Sequence, residues 1–150
     1  MGILGHKNSK RYLIIFSLFT SLTLGCNNQK YSRCQEMIAI ANSATDKTQN
    51  IVRDSQEKVI EMKNWLQAAD IMTIAAKEIE ALPIKDPQLI DYQGNLANVF
   101  RIYSQATYDA VRARENKNLS ALELASSAAQ KAGNLNQTLV EKINSYCVAE

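Results

Sequence analysis

Histidine is nearly absent from this sequence, and its absence excludes several kinds of catalytic site. The one histidine, His6, lies close to the amino terminus. Without an imidazole, the rest of the chain has no Ser-His-Asp or Cys-His nucleophile and no histidine ligand for a metal. It also lacks the Glu-x-x-His pair of di-iron helical bundles. We therefore expect no enzymatic activity, no metal and no cofactor.

Glycine and proline are also scarce. The 150 residues include 5 glycines and 2 prolines, and no glycine-rich loop that could cradle a phosphate. Both prolines, Pro83 and Pro87, fall in one short stretch, LPIKDPQ, so long parts of the chain contain no strong helix breaker. Together with the abundance of Ala, Leu, Ile, Lys, Glu and Gln, this pattern favours α-helices over strands.

The first part of the chain has the pattern of an export signal. Lys7, Lys10 and Arg11 precede an uncharged, apolar run from Tyr12 to Gly25. This run is shorter than the about 20 apolar residues of a membrane-spanning helix, but it matches the apolar core of a secretory signal. The alternative is a buried core helix, which should show a polar stripe at helical spacing, and the run has none.

The end of this run, TLGC, resembles the lipobox of bacterial lipoproteins, in which a small residue precedes a cysteine. Gly25 and Cys26 match the two positions that flank the cleavage point. Leu24 is permitted before them, whereas Thr23 stands where leucine is commonest. The resemblance implies lipid attachment at Cys26, and several acyl chains hold a protein stably at a membrane. The alternative is an ordinary secretory signal that leaves Cys26 as a plain thiol.

These features divide the chain into a signal peptide (residues 1–25), a short tether (26–30) and one helical domain (31–150). Removal of the signal takes three of the 17 basic residues and none of the 15 acidic ones, which leaves 14 basic and 15 acidic groups and a formal net charge of −1. No basic patch with interleaved aromatic residues remains, so we expect no nucleic-acid partner. No polybasic segment remains either, so we expect membrane contact only through the lipid anchor.

Two further cysteines, Cys34 and Cys147, lie near the two ends of the domain. In an exported chain such a pair predicts a disulfide, with two free buried thiols as the alternative. The pairing also constrains the topology, because Cα atoms more than about 7 Å apart cannot be bridged. In an up-down bundle, only an even number of helices brings the start of the first helix and the end of the last helix to the same end.

Apolar residues recur at helical spacing through the domain. Asp86, followed by proline, is a typical N-cap and predicts a helix over 87–115. Ser120 and Glu123 fit a capping box at the start of a helix predicted over 119–148.

The region 31–82 is much longer than these two helices, and the sequence RDSQE at residues 53–57 offers a break. Because the cysteine pair requires an even number of helices, we predict an all-α, antiparallel up-down four-helix bundle with a turn near 53–57.

Aromatic residues supply a candidate partner surface. Tyr103 falls on the predicted core stripe, whereas Phe100 and Tyr108 fall off it and lie nearly on one helix face. We therefore interpret Phe100 and Tyr108 as a candidate surface for a partner. At the end of the same predicted helix, Arg112 and Arg114 are expected to lie in solvent.

A looser similarity covers most of the domain. Small, uncharacterised lipoproteins of cyanobacteria resemble this chain in the stretches YSRCQEMIAIANS, LQAADIMTIAAKEIEAL, DYQGNLANVFRIYSQAT and INSYC. That family has no known activity, so the resemblance implies a lipoprotein and no specific function.

The sequence thus favours a non-enzymatic binding or assembly module, lipid-anchored at the periplasmic or extracytoplasmic face of a bacterial cell membrane. The short tether keeps the domain close to the membrane, which suits a membrane-protein partner. The alternative is a small-ligand carrier or sensor that holds an apolar molecule in a cavity between Ala-rich helix faces.

Overall fold

The computed structural model describes residues 24–54 and 62–148, and within these ranges the chain forms four helices and no strand. We label them α1 (Leu24–Asp54), α2 (Met62–Glu80), α3 (Pro87–Glu115) and α4 (Leu119–Val148). Helix α3 packs extensively on both α2 and α4, and α1 packs mainly on α2, with smaller contacts to α3 and α4. The predicted all-α four-helix bundle is confirmed.

Helix α1 begins at Leu24, so residues 26–30, which are expected to form a tether before the domain, are helical. Neither proline nor glycine occurs between Cys26 and Asp54 to interrupt the helix. At about 1.5 Å per residue, residues 26–30 span roughly 7 Å. The link from Cys26 to the bundle is therefore short and helical.

Three predictions fall wholly or partly outside the described residues. Residues 1–23 contain most of the predicted signal peptide, and the side chain of Cys26 is also outside the description. Helix α1 ends at Asp54, and most of the turn predicted near 53–57 falls on residues 55–61, between the two described ranges.

The link between α2 and α3 is built as the sequence predicts, with one additional contact. Asp86 caps α3, because its Oδ1 accepts a hydrogen bond from the Leu89 N–H at 2.8 Å. Gln93 on α3 is buried, and its Nε2 donates to the carbonyl oxygens of Ile79 and Leu82 at 2.7 and 3.0 Å. A side chain of α3 thus adds hydrogen bonds to carbonyl groups at and just after the end of α2, which also accept the backbone N–H groups of Leu82 and Ile84.

Asn118 caps α4, and this corrects the capping box predicted at Ser120. The Oδ1 of Asn118 accepts a hydrogen bond from the Ala121 N–H at 3.0 Å. Lys117, directly before it, has a positive φ of 52°. This left-handed residue turns the chain tightly out of α3 and brings Asn118 to the position before the first helical residue. The bounds predicted for α3 and α4 are confirmed.

Cys34 of α1 and Cys147 of α4 form a disulfide, with their Cα atoms 6.0 Å apart. Both residues are buried. The predicted disulfide is confirmed, and it places the beginning of α1 and the end of α4 at one end of the bundle. We call this the disulfide end.

The large buried side chains are distributed unevenly along the bundle. The largest fully buried side chains lie in the half nearest the disulfide: Met37, Ile79, Leu89, Leu96 and Ile143. In the opposite half of the described bundle, the buried apolar residues are small: Ala68, Ala69, Ala106, Val111, Ala113 and Ala125. Since hydrophobic stabilisation scales with the apolar area buried, the disulfide half contributes most of it.

Phe100 belongs to this core. Its side chain is 7% exposed and lies in the same buried cluster as Leu96 and Val99. Helix α3 lies between α2 and α4, so its buried face is wider than the single stripe used for the prediction. The prediction that Phe100 forms part of an exposed partner surface is therefore wrong.

We expect the double variant Cys34→Ala/Cys147→Ala to lose about 4–5 kcal/mol of unfolding free energy in urea denaturation. The bridged residues are 113 positions apart, so removing the bridge opens a long loop and raises the conformational entropy of the unfolded chain. A thiol reductant should destabilise the native protein by a similar amount and leave the variant unchanged. A native protein whose unfolding midpoint does not respond to the reductant would contradict this account.

Candidate functional site

An apolar cleft of about 330 Å³ lies at the end of the bundle opposite the disulfide. It is formed by the first turns of α2, the second half of α3 and the first half of α4. Four alanines form much of its wall, Ala106 and Ala110 on α3 and Ala125 and Ala129 on α4. The alanines of each pair are one helical turn apart, so each pair lies on one face of its helix.

Larger apolar side chains complete the cleft. They are Met62 and Trp65 from α2, Val111 from α3 and Leu122 from α4. Trp65 is half-buried and is the single tryptophan of the chain. The fluorescence of this protein therefore reports on the cleft directly.

The cleft follows from the small side chains at this end of the bundle. In the middle of the bundle, the Tyr103 side chain of α3 reaches across to Gly133 of α4, where an added Cβ would lie 3.2 Å from its hydroxyl. Beyond this contact, alanines occupy positions where the disulfide half has Leu, Ile and Met, and protein interiors need side-chain volume to reach their usual packing density. The unfilled volume is at the lower end of the about 300–1,000 Å³ typical of small-molecule pockets.

Three polar residues also line the cleft, Thr107, Arg114 and Ser126, and Arg114 is the one charged residue among the described lining residues. Arg112, two positions earlier, lines a separate groove between α3 and α4, which shares Ala125 with the cleft. Its guanidinium lies 4.0 Å from the Asp109 carboxylate. The sequence predicts that Arg112 and Arg114 lie in solvent at the end of the helix. Both are exposed, but Arg114 borders the cleft and Arg112 borders the separate groove.

Tyr108, the second residue of the predicted partner surface, connects α3 to α2. It is half-buried, and its hydroxyl donates a hydrogen bond to the carboxylate of Asp70. This hydrogen bond, followed by burial and by the charge of Asp70, raises the pKa of Tyr108 above its ordinary value. Because Phe100 is inside the core, Tyr108 and Phe100 do not form a common surface.

A second tyrosine network connects three helices at the disulfide end. The Tyr146 hydroxyl donates to the carboxylate of Asp86 and lies 2.9 and 2.8 Å from its two oxygens. The Tyr146 ring packs edge-on against Tyr92, with centroids 5.6 Å apart, and the Lys30 Nζ lies 4.7 Å from its centre. The hydrogen bond to Asp86, followed by burial and by nearby charge, raises the pKa of Tyr146. This end of the bundle is therefore tied together by polar as well as apolar contacts.

The alternative function expected from the sequence requires a cavity between Ala-rich helix faces, but the sequence did not predict where the cleft lies or which residues line it. Helical periodicity assigns Trp65, Ala106 and Ala125 to core stripes, and a stripe does not indicate how far apart two facing helices lie. The signal that the sequence does contain is a pair of alanines one turn apart on each of two consecutive helices.

Comparison with known proteins finds no relative. No family model matches the chain, and neither the curated proteins nor the solved structures that were compared contain a match. Within residues 24–54 and 62–148, no helix combines the length and the apolar character that crossing a membrane requires. The same two ranges contain no group of three His, Cys, Asp or Glu side chains placed to hold a metal ion.

Proposed function

We propose that this protein is a non-enzymatic, lipid-anchored binding module at the outer face of a bacterial membrane, and that its cleft holds a small apolar molecule. The observation that carries the proposal is the alanine-walled cleft of about 330 Å³. Ligand pockets are mostly apolar, with a few polar groups that fix orientation, and this cleft has that composition. The geometry thus favours the ligand carrier among the functions expected from the sequence.

The TLGC motif supports a lipid anchor at Cys26. Cys26 precedes Cys34 on α1 by about two helical turns, or roughly 12 Å. An anchor there would hold the disulfide end near the membrane. The cleft is at the other end of helices about 45 Å long, where it would face molecules outside the lipid.

The disulfide between Cys34 and Cys147 supports the location of the domain outside the cytoplasm. Structural disulfides form and persist in oxidising compartments, and cytosolic thiols are kept reduced. Export and the disulfide therefore agree with each other, although they rest on different residues.

We expect decanol to change the fluorescence of Trp65 in a saturable manner, because this residue lines the cleft. Ala129→Phe should weaken decanol binding by roughly tenfold or more, since the phenyl ring occupies the space of the ligand. Ala128→Phe is the matched control, because Ala128 is the adjacent residue on α4 and lines the separate groove beside Arg112.

Circular dichroism should show the same helical content for both variants. Two results would contradict the proposal: a fluorescence response of the native protein that does not saturate, or equal losses of binding in Ala129→Phe and Ala128→Phe.

The second candidate function is assembly with a protein in the same membrane. Leu124 and Leu135 on α4 are 71% and 54% exposed, and they lie three helical turns apart on its outer face. We expect the double variant Leu124→Glu/Leu135→Glu to lose chemical cross-linking to such a protein in intact cells and to retain decanol binding. An unchanged cross-linked product would remove this candidate.

A further inference from the structure

We infer that the ligand of the cleft is an anionic amphiphile, with its apolar chain between α3 and α4 and its charged head on Arg114. This inference rests on the proposed ligand-binding function and adds the charge of the ligand. Arg114 follows Ala110 by one helical turn, so its side chain stands beside the alanine wall.

The charges around the cleft distinguish between ligands. Among the described lining residues, Arg114 is the one charge, and Thr107 and Ser126 are neutral hydrogen-bonding groups. A cationic head group would meet a like charge and, among the lining residues that the structure describes, no carboxylate. A neutral alcohol would gain nothing from the guanidinium. An anionic head group would gain charge-assisted hydrogen bonds, and the planar guanidinium suits a carboxylate or a phosphate in particular.

Arg114 can accept such a head group without giving up another partner. Ion pairs elsewhere in the described chain join Arg33 to Glu36, Arg101 to Glu80 and Arg112 to Asp109, and none of them includes Arg114. Its guanidinium is exposed at the cleft and makes no hydrogen bond with a described side chain. The desolvation and rearrangement that binding requires at this position are therefore small.

A structural role for Arg114 has to be separated from ligand binding. A cation in the last turn of a helix interacts favourably with the helix dipole, and both Arg112 and Arg114 lie in the last turn of α3. Arg112 shares the dipole interaction but faces the other groove. Comparing ligand binding by variants of the two arginines therefore separates the effect of a charge at the cleft from the effect of a charge at the helix end.

The size of the cleft restricts the apolar part of the ligand. A volume of about 330 Å³ at the lower end of the pocket range suits a single alkyl chain of medium length and does not suit a two-chain lipid. Decanoate and decanol share such a chain and differ in head-group charge, so they are suitable probes.

The test is a titration of Trp65 fluorescence with decanoate, decanol and decyltrimethylammonium at neutral pH. The two charged probes are kept below their micelle-forming concentrations and decanol below its solubility limit. We expect the native protein to bind decanoate about fivefold more tightly than decanol, an estimate that allows for solvent screening of an exposed arginine. Decyltrimethylammonium should bind most weakly. Added salt should reduce the preference for decanoate and leave decanol binding almost unchanged.

Two variants separate charge at the cleft from charge on the helix. Arg114→Gln should bind decanoate no better than decanol, whereas Arg112→Gln should keep the native preference. Saturable decanol binding and a native circular dichroism spectrum would show that the cleft of Arg114→Gln is folded. Arg114→Lys should retain part of the preference, because it retains the charge.

The outcomes distinguish this inference from the proposed function. Equal affinities for decanoate and decanol in the native protein would overturn the anionic ligand and leave an apolar ligand in place. Loss of the preference in Arg112→Gln as well would also overturn it, because a general surface charge would then explain the effect. Failure of all three probes to bind would overturn the inference together with the ligand-binding function.

Discussion

The covalent bond between Cys34 and Cys147 is the constraint on which this architecture depends. Helix α1 packs chiefly on α2, so the disulfide is what joins it firmly to the last helix. The polar contacts of Tyr146 with Asp86 and Lys30 surround the same end and connect α1, α3 and α4. The large buried side chains are concentrated there too. The disulfide, the polar contacts of Tyr146 and the large core side chains thus occur together at one end of the molecule.

This concentration of stability leaves the opposite end available for binding. Folded domains are only marginally stable, and a half built from alanines contributes less hydrophobic stabilisation than a half built from Leu, Ile and Met. The disulfide offsets that deficit by restricting the unfolded chain. The alanines that form much of the cleft wall have no side-chain conformations to lose, so a ligand packed against them has little ordering to impose there. Arg114 adds a charge where the cleft meets solvent.

The parts that the sequence predicts well are those that local rules determine. Asp86 and the following proline begin α3 because capping depends on adjacent residues, and the cysteine pair fixes the parity of the helices. Phe100 was misplaced because a single stripe cannot represent a helix that packs on two neighbours. The contacts of Gln93 with the end of α2, and the cleft itself, depend on distances between helices. Periodicity assigns a residue to a face, but it contains no information about those distances.

Native-state hydrogen exchange of the oxidised protein tests the division of the bundle most directly, since amides in well-packed regions exchange only through global unfolding and amides in under-packed regions exchange through local opening. The account predicts the slowest exchange around Met37, Ile79, Leu89 and Ile143. It predicts faster exchange along the cleft, in residues 106–114 of α3 and 122–129 of α4. Equal protection along the whole length of α3 and α4 would contradict it.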